Sequence, residues 1–451
     1  MRAQNDIIYT DGLYKKPFAY SNAENGGTIM AATYIRCAAE RHFSKESMGT
    51  LIQGTLPGCR EELLERFAGQ VQTVYLDPPF NTGKKFEMKA RIGEKGYKTG
   101  SPSLTLPAYD DRWESREAYL SMMRDTLTLA RDLMKKEGTI FLHIDCRMHA
   151  HMRLLMDEIF GESNFLNEII WSYQSGGRAR TYFPRKHDVI LFYAKSRSYY
   201  FSLKSVPVAR SEARSNHMKR GTDEDGRTYR SIISAGKEYR YYDDEPAYPG
   251  DVWDDVSHLQ QKDPQRTGYD TQKPIRLLER IISCSSQEGD LVCDLFGGSG
   301  TTAVAAAGLG RRFLCVDQSP LAIAVTGKRL SQTTKGKPMG ICYDVEAPCG
   351  EDDCEVEAEV FPAIFSYTVH LASFDCPQAR AAGISGMDAV DQWSAGFVQG
   401  DSYRSCVASV RTVGTPKLET TLEMPVSAGE PCIMIVDIWG NRRFYLPKRR
   451  Y

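Results

Sequence analysis

The residues best suited to chemistry lie within 71–83, which read VQTVYLDPPFNTG. An apolar and β-branched run ends at Asp77, and this pattern predicts a short buried strand with a carboxylate at its carboxyl end. Pro78 and Pro79 fix two φ angles and lack N–H donors, so the loop is stiff and presents carbonyl oxygens. With Phe80 as an exposed ring, these groups suit a planar heterocycle whose exocyclic amine donates to the acceptors. A plain turn with Phe80 in the core is the alternative.

A second candidate site lies far downstream, in residues 290–317. The pattern predicts a strand, a glycine turn reading FGGSG, a helix to about Leu309 and a second strand that ends at Asp317. Glycines allow close backbone approach, and a helix N-terminus offers free N–H groups to an anion. Asp317 follows Gly300 at about the spacing that places an acid on ribose hydroxyls in nucleotide-binding βαβ units. The segment therefore predicts a nucleoside cofactor, although FGGSG departs from the dinucleotide pattern GxGxxG.

Taken in order, four motifs resemble the β-class amino-DNA methyltransferases, in which the target-base motif precedes the cofactor motif. They are DPPF, NTG, TQKP at 271–274 and DLFGGSGTT at 294–302. The resemblance covers roughly residues 51–330 and is closest to modification subunits of type III restriction systems and their solitary relatives. It implies an α/β fold: a doubly wound, mostly parallel sheet of the S-adenosylmethionine-dependent methyltransferase type, with permuted motif order.

The activity implied by the resemblance is methylation of the N6 amine of adenine in double-stranded DNA. Asp77 and the Pro78 carbonyl would accept the two amine protons, Pro79 would stiffen the loop, and Phe80 would stack on a base that has left the duplex. N4 methylation of cytosine requires the same geometry, but relatives that act on cytosine more often carry serine in place of Asp77. A non-catalytic DNA-binding or assembly subunit is a further alternative, which would require a broken site.

The resemblance also implies which residues hold S-adenosylmethionine. They are Thr271, Gln272, Lys273, Asp294, Phe296, Gly298, Gly300, Thr301 and Asp317. Asp294 would face the ammonium group of the cofactor and Asp317 its ribose. Relatives often carry Gly-Asp beside the cofactor adenine where this chain has Gly54 and Thr55, a departure that argues against a cofactor contact from that loop.

The charge distribution predicts where DNA binds. The net charge is −1, yet residues 176–220 carry eleven lysines and arginines against two carboxylates. Aromatic residues, including Tyr182 and Phe183, are interleaved with these cations, which suits phosphates and stacked bases. Residues 174–250 are therefore the predicted target recognition region, with a solvated basic face as the alternative. The candidate DNA-binding residues are Arg178, Arg180, Arg185, Lys186, Arg214, Lys219 and Arg220.

The other segments complete the predicted domain organisation. We expect an N-terminal arm at 1–48 with a short helix near 29–42, a catalytic half at 49–173, a cofactor-binding half at 251–335 and a β-rich module at 345–451. Residues 84–111 are charged without clear periodicity, which predicts a long loop that orders over the flipped base and the DNA backbone, with a solvated flexible loop as the alternative. A hairpin turn is predicted at Gly440 and Asn441.

Composition limits the class of protein. The 451 residues are 41% hydrophobic, enough for a large core, and no apolar run reaches signal or membrane length. We therefore expect a cytoplasmic protein without membrane contact. The twelve cysteines are predicted to be reduced, and the spacing of cysteines and histidines predicts no metal site. A homodimer and a restriction endonuclease partner both stay open.

Overall fold

The computed structural model describes residues 33–35, 39–40, 49–173, 179–208, 218–333, 340–343, 354–400 and 402–450. Six neighbouring parallel strands form the centre of a large sheet, in the order Gly340–Tyr343, Gly49–Gln53, Arg312–Asp317, Leu291–Asp294, Val71–Leu76 and Met134–Ile144. Because these strands are parallel, all their carboxyl ends lie at one edge of the sheet, which we call the carboxyl edge. The predicted mostly parallel α/β sheet is confirmed.

Helices cover both faces of this sheet. One face carries Leu56–Phe67, Arg116–Leu133 and His149–Phe160, and the other carries Ile275–Ser285, Thr301–Gly308 and Pro320–Thr333. Two helices begin at side-chain caps: Thr55 Oγ1 accepts a bond from the Gly58 amide at 3.2 Å, and Ser115 Oγ accepts one from the Ala118 amide at 3.0 Å. None of the described helices is both long and apolar enough to cross a membrane.

The central strands are buried because helices cover both faces. All six residues of Val71–Leu76 and all four of Leu291–Asp294 are buried, as expected for parallel strands. Beyond Met134–Ile144 the sheet continues with His187–Ala194, which is antiparallel to both of its neighbours. Phe165–Ser172 and Val252–Trp253 follow and run parallel to each other. Short 3-10 turns span Glu162–Asn164 and Leu203–Ser205.

Residues 84–111 do not form the predicted loop. They contain the antiparallel strands Lys85–Arg91 and Ser103–Asp110, joined through the helix Gly93–Thr99, and we call this unit the 85–110 hairpin. The loop prediction was wrong because buried apolar side chains alternate with charged ones, as at Met88 and Ala90, with a period of two. The buried side packs against Tyr269 and Leu321.

The C-terminal strands extend the large sheet. Four of them lie between two strands of the N-terminal arm, so that the order outward from Gly340–Tyr343 is Ala39–Glu40, Ser402–Val410, Val390–Gln399, Glu430–Asp437, Arg442–Leu446 and Thr33–Ile35. A four-stranded sheet of Thr421–Pro425, Ser366–Asp375, Glu355–Pro362 and Lys448–Arg449 lies beside them, with the helix Pro377–Ala381 and the 3-10 turn Gly386–Ala389. The β-rich character of this region is confirmed, as is the hairpin turn, where Gly440 has a φ of 86°.

The described residues of the N-terminal arm form strands where a helix was predicted near 29–42. Thr33–Ile35 pairs with Arg442–Leu446, and Ala39–Glu40 lies between two other strands. Their pairing partners lie far away along the chain, so local sequence favoured a helix while tertiary pairing produced strands.

Candidate active site

A cleft opens at the carboxyl edge of the sheet, above the adjacent strands Val71–Leu76 and Leu291–Asp294. It has a volume of about 270 Å³. Asp77, which follows the first strand, and Phe296, which follows the second, both line it. Strand pairing therefore brings the DPPF loop (Asp77–Phe80) and the glycine loop (Phe296–Gly300) to one cavity, although Pro78, Phe80 and Gly300 are not among the described residues that line it. Phe80, predicted as an exposed ring, is half-buried and packs against the hydrophobic core.

The two oxygens of Asp77 have different environments. Oδ2 accepts a bond from the Lys273 ammonium group. Oδ1 is buried and has no hydrogen-bond partner among the described residues. The Pro79 carbonyl accepts a bond from the Tyr119 hydroxyl at 2.8 Å, whereas no described donor reaches the Pro78 carbonyl. A buried acceptor without a donor is costly, so this corner of the cleft is suited to a ligand that brings donors.

Phe80 rests on a buried histidine. The two rings are stacked with centroids 6.1 Å apart, and the Lys273 Nζ lies 5.5 Å from the Phe80 centroid. His143 is fixed at both nitrogens, since Nδ1 lies 2.8 Å from the Tyr75 hydroxyl and Nε2 lies 3.3 Å from Asp188 Oδ2. These supporting residues were missed because nothing in the sequence near His143 marks it as a neighbour of Phe80.

A second carboxylate fixes the segment that follows the DPPF loop. Asp111 is fully buried and accepts bonds from the Asn81 amide (2.9 Å), the Thr82 amide (2.8 Å), the Thr82 hydroxyl (2.6 Å) and the Trp113 indole (3.3 Å). Asn81 adopts a φ of 56°, a conformation that asparagine tolerates better than most residues. Asp111 thus holds the loop from the carboxyl end of the 85–110 hairpin.

We expect Asp111→Ala to destabilise the protein and to disorder this loop. Four donors lose their acceptor, and a free energy of unfolding lower by about 2–3 kcal/mol follows from the typical cost of such losses. Chemical denaturation measures this change. Glu114→Ala removes an exposed carboxylate nearby and serves as the control. Equal stability of the two variants would show that Asp111 does not hold the loop.

Burial governs the chemistry of Asp294 at the end of its strand. Its Oδ1 accepts a bond from the Phe296 amide at 2.9 Å, and its Oδ2 accepts one from the Thr302 hydroxyl at 2.5 Å. Loss of hydration raises the pKa of the Asp294 carboxyl to about 7, although both hydrogen bonds favour the charged form. A cationic ligand group beside Asp294 would compensate the buried charge.

Asp317 holds the glycine loop. Its Oδ2 accepts a bond from the Gly298 amide at 2.7 Å, and its Oδ1 accepts one from the Ser319 amide at 2.8 Å. Burial raises the pKa of Asp317. Gly298 and Gly300 have φ values of 49° and 74°, and a Cβ on Gly300 would lie 2.3 Å from the Thr326 hydroxyl, so this turn requires glycine.

Only part of the TQK triplet, residues 271–273, lies at the cleft. Thr271 and Lys273 line the cleft, but Gln272 is not among the described residues that do. Its side chain instead accepts a bond from the Thr267 amide at 2.9 Å and donates one to the Gln265 carbonyl at 2.7 Å. Thr301, at the start of its helix, lines the cleft and donates to the Lys273 carbonyl at 3.2 Å.

Gly54 and Thr55 also line the cleft. The expectation from sequence was that this loop makes no cofactor contact. The Gly54 amide donates to the Asp317 carbonyl at 3.0 Å, which ties the loop to the neighbouring strand end. Backbone position therefore places the loop at the cavity although the acidic residue common in relatives is missing.

The charges of the cleft select for a cationic ligand. Its lining contains the carboxylates of Asp77, Asp110, Asp294 and Asp317 and one ammonium group, that of Lys273. Aromatic and aliphatic walls are supplied by Tyr109, Trp113, Tyr269, Phe296 and Leu278. A molecule with a flat ring and positive groups, such as the sulfonium and ammonium of S-adenosylmethionine, fits this donor set.

Comparison with known proteins decides the class. A family model described as DNA methylase matches residues 71–327, more than half of the chain. The chain belongs to this DNA methylase family. The resemblance to N4/N6 DNA methyltransferases is thereby confirmed, and with it S-adenosylmethionine as the cofactor.

Several known proteins are similar to the methylase. Type II methyltransferase M.EcaI of Enterobacter cloacae is 27% identical, over 66% of this chain and 73% of its own length. The StyLTI Mod subunit of Salmonella typhimurium, from a type III restriction-modification enzyme, is 25% identical, and the match spans 55% of its length. The protein TTHA0409 of Thermus thermophilus, solved in complex with S-adenosyl-L-methionine, is 18% identical with a TM-score of 0.40, over 65% of this chain and 98% of its own.

The predicted DNA-binding residues of the methylase lie in two places. Arg180, Arg185 and Lys186 precede the strand His187–Ala194. Lys219 and Arg220 are exposed on a separate antiparallel sheet of Lys219–Thr222, Thr228–Ser234 and Lys237–Tyr242. Arg178 and Arg214 lie outside the described residues.

Charge is compensated on that three-stranded sheet. Arg227 pairs with Asp244 at 2.8 Å, and Arg240 pairs with Glu238 at 3.0 Å. The described residues 179–208, in contrast, carry six lysines and arginines against Asp188 alone. Three of these six cations, Arg180, Arg185 and Lys186, precede His187–Ala194 at the carboxyl edge of the methylase sheet. Lys195 follows the strand at the opposite edge, where its ammonium group donates to the Met134 carbonyl at 2.7 Å.

The C-terminal strands support the cleft wall of the methylase through the 85–110 hairpin. The Tyr97 hydroxyl donates to Asp391 Oδ1 at 2.5 Å, and the Lys328 ammonium donates to Asp391 at 2.8 and 2.9 Å. Tyr109, on the same hairpin, lines the cleft. The C-terminal region therefore contacts the hairpin that forms part of the cleft wall.

Proposed function

We propose that this methylase transfers the methyl group of S-adenosylmethionine to the N6 amine of adenine in double-stranded DNA. The observation that carries the proposal is the unpartnered, buried Asp77 Oδ1 in the cleft that the glycine loop also lines. The reaction needs such an acceptor, because the lone pair of an exocyclic amine is delocalised into the ring. The amine reacts only when hydrogen-bond acceptors for its protons favour a pyramidal nitrogen.

The chain's own residues supply these acceptors. Asp77 Oδ1 and the Pro78 carbonyl would each accept one amine proton, while Lys273 holds Oδ2 and thereby the orientation of the carboxylate. Phe80, supported by His143, would stack on the extruded base. Asp77 is then the group available to take the proton that the amine loses. Fixed acceptors of this kind lower the barrier by placement and preorganised electrostatics.

The cofactor would be held by the residues of the cleft. Asp294 would meet its ammonium group, Asp317 its ribose, and the backbone at Gly298 its methionine portion. When bound, S-adenosylmethionine supplies an electrophilic methyl group on a sulfonium. Lys273 would not bind the cofactor, because its ammonium group pairs with the Asp77 carboxylate.

Adenine is favoured over cytosine by the residue at position 77. Relatives that act on cytosine more often carry serine there. The DNA adenine methyltransferase YhdJ of Escherichia coli is 25% identical over 57% of this chain and 74% of its own length, which supports adenine. Asp77 and Pro78 present acceptors that either amine could use, so cytosine N4 is the alternative that an experiment must separate.

The test uses labelled S-adenosylmethionine and mixed-sequence DNA. After incubation and digestion, the labelled nucleoside is identified by chromatography. We expect N6-methyladenine. N4-methylcytosine would overturn the assignment to adenine, and the absence of label despite cofactor binding would support a non-catalytic DNA-binding subunit.

Cofactor affinity should depend on the protonation of Asp294. Because the pKa of this carboxyl is raised to about 7, the group takes up a proton as pH falls through that value and loses its attraction for an ammonium group. We expect the Kd for S-adenosylmethionine to rise by up to about tenfold per pH unit below pH 7, and to level off above it. Calorimetry from pH 5.5 to 8.5 measures this. Asp294→Asn should bind weakly with a flat profile; an unchanged slope in that variant would exclude Asp294 as the cause.

Associations with other chains are also proposed. Because the relatives that are type III Mod subunits are parts of restriction-modification enzymes, we propose a restriction endonuclease subunit as a partner. A homodimer is proposed separately from these relatives. Light scattering of the purified chain, alone and with a candidate restriction subunit, tests both. A monomer that binds no such subunit would indicate a solitary methylase.

A further inference from the structure

The segment 180–186 lies at the carboxyl edge of the sheet. It enters the strand His187–Ala194, which is antiparallel to Met134–Ile144, with Val189 paired to Ile144. The amino end of His187–Ala194 therefore lies at the carboxyl end of its neighbour, on the edge where Asp77 lies. His143 connects the strand to the DPPF loop, since Asp188 bonds to this histidine and Phe80 stacks on it.

Phe183 is the most exposed large hydrophobic side chain among the described residues. It is 95% exposed, while its neighbour Tyr182 is 65% exposed and lies under the Arg185 guanidinium at 5.8 Å. No ring or cation of the described residues contacts Phe183. An aromatic ring left in water forgoes the free energy of burial, so its exposure on a functional edge marks a surface that a partner covers.

The surroundings of Phe183 define that partner chemically. Arg180, Arg185 and Lys186 flank it, and no carboxylate occurs between Ala179 and His187. Cations on both sides of a bare ring suit a polyanion that carries stacked bases. The four Cα-to-Cα steps from Phe183 to His187 reach at most about 14 Å when extended, so the ring can approach a duplex docked at the cleft.

We propose that Phe183 enters the base stack of duplex DNA at the position that the target base leaves. This inference rests on the proposed function, which requires an extruded base. Extrusion unstacks and unpairs that base, and an apolar side chain inserted between base steps offsets the loss. Arg180 and Arg185 would hold the phosphates on either side of the gap. Phe183 is thus a positioning residue for the DNA and does not contact the reacting atoms.

The experiment compares two substrates that differ only in the cost of extrusion. One is a duplex with the site that the wild-type enzyme methylates. The other is the same duplex with an abasic site opposite the target, where the base is already unpaired. We expect Phe183→Ala to lower kcat/KM by about 30-fold on the paired duplex and by less than about threefold on the abasic duplex, because the unpaired base needs little help to leave.

Two further variants sharpen the test. Phe183→Leu keeps an apolar wedge and should retain most of the activity. Phe365→Ala removes a ring that is 85% exposed on a C-terminal hairpin, away from the cleft, and should leave both substrates unaffected. An equal loss on both duplexes would overturn the proposal in favour of a general DNA contact. No loss on either would overturn it in favour of a surface for a protein partner.

A second readout separates this proposal from the proposed function. With 2-aminopurine at the target position and no methyl donor, wild-type enzyme should raise fluorescence as the base leaves the stack, and Phe183→Ala should raise it far less. A wild-type enzyme that extrudes the base but transfers no methyl group would refute the proposed function alone. Equal fluorescence with both proteins would refute the role of Phe183 alone.

Discussion

Asp77→Asn should lower the rate of methyl transfer about 1,000-fold, the scale seen when a preorganised polar group at a reacting centre is removed. The amide places an N–H₂ group where the carboxylate presents an acceptor, and it loses the charge that pairs with Lys273. The Kd for S-adenosylmethionine should change by less than about threefold, because the residues expected to hold the cofactor are untouched. Single-turnover transfer and calorimetry measure the two quantities.

The control uses a similar pair at the opposite edge of the same sheet. Asp290, just before the strand Leu291–Asp294, pairs with Lys135 at 2.6 Å. Asp290→Asn removes a carboxylate–lysine pair without touching the cleft and should transfer methyl groups at the wild-type rate. Asp77→Asn with normal activity would show that the reacting amine does not bond to this carboxylate.

Lys273→Met should lower kcat about 30-fold with cofactor affinity nearly unchanged. The substitution leaves Asp77 Oδ2 without its partner, and a buried carboxylate that has lost its cation is both costly and free to rotate. Lys273→Arg keeps the charge and should recover part of the lost rate. Separate measurements of kcat and of the Kd for S-adenosylmethionine distinguish this role, which lowers kcat alone, from the cofactor-binding role that family resemblance implies, which raises Kd.

Lys135→Met is the matched control for Lys273→Met, since it breaks the pair at the far edge. It should change thermal stability slightly and kcat not at all. A Lys273→Met variant that loses cofactor affinity by tenfold or more while kcat holds would assign the lysine to the cofactor and remove it from the Asp77 site.

Much of the fold could be predicted because its signals are local. Continuous apolar runs marked Val71–Leu76 and Arg312–Asp317 as buried strands, and the run after FGGSG marked the helix Thr301–Gly308. Motif order identified the family without any knowledge of the sheet. The 85–110 hairpin had a signal as well, in the alternation around Met88, but its many charges obscured the period.

The rest depends on pairing between distant segments, which sequence periodicity does not encode. Nothing local indicates that Asp111 accepts four bonds from the loop after Phe80, or that Lys273 bonds to Asp77. The extension of the sheet by the C-terminal strands likewise depends on strand order. For Gln272 the motif was misleading. Its position in TQKP predicted a cofactor-binding residue, but in the structure its side-chain amide bonds to the backbone of the preceding loop.

The most direct test of the central claim is the structure of a ternary complex with duplex DNA and a non-reactive cofactor analogue. We predict that the N6 nitrogen of an extruded adenine lies about 2.7–3.2 Å from both Asp77 Oδ1 and the Pro78 carbonyl oxygen. The analogue should lie along the glycine loop in the same cleft. A target base that remains stacked in the duplex, or an analogue bound away from Gly298 and Asp77, would contradict the account.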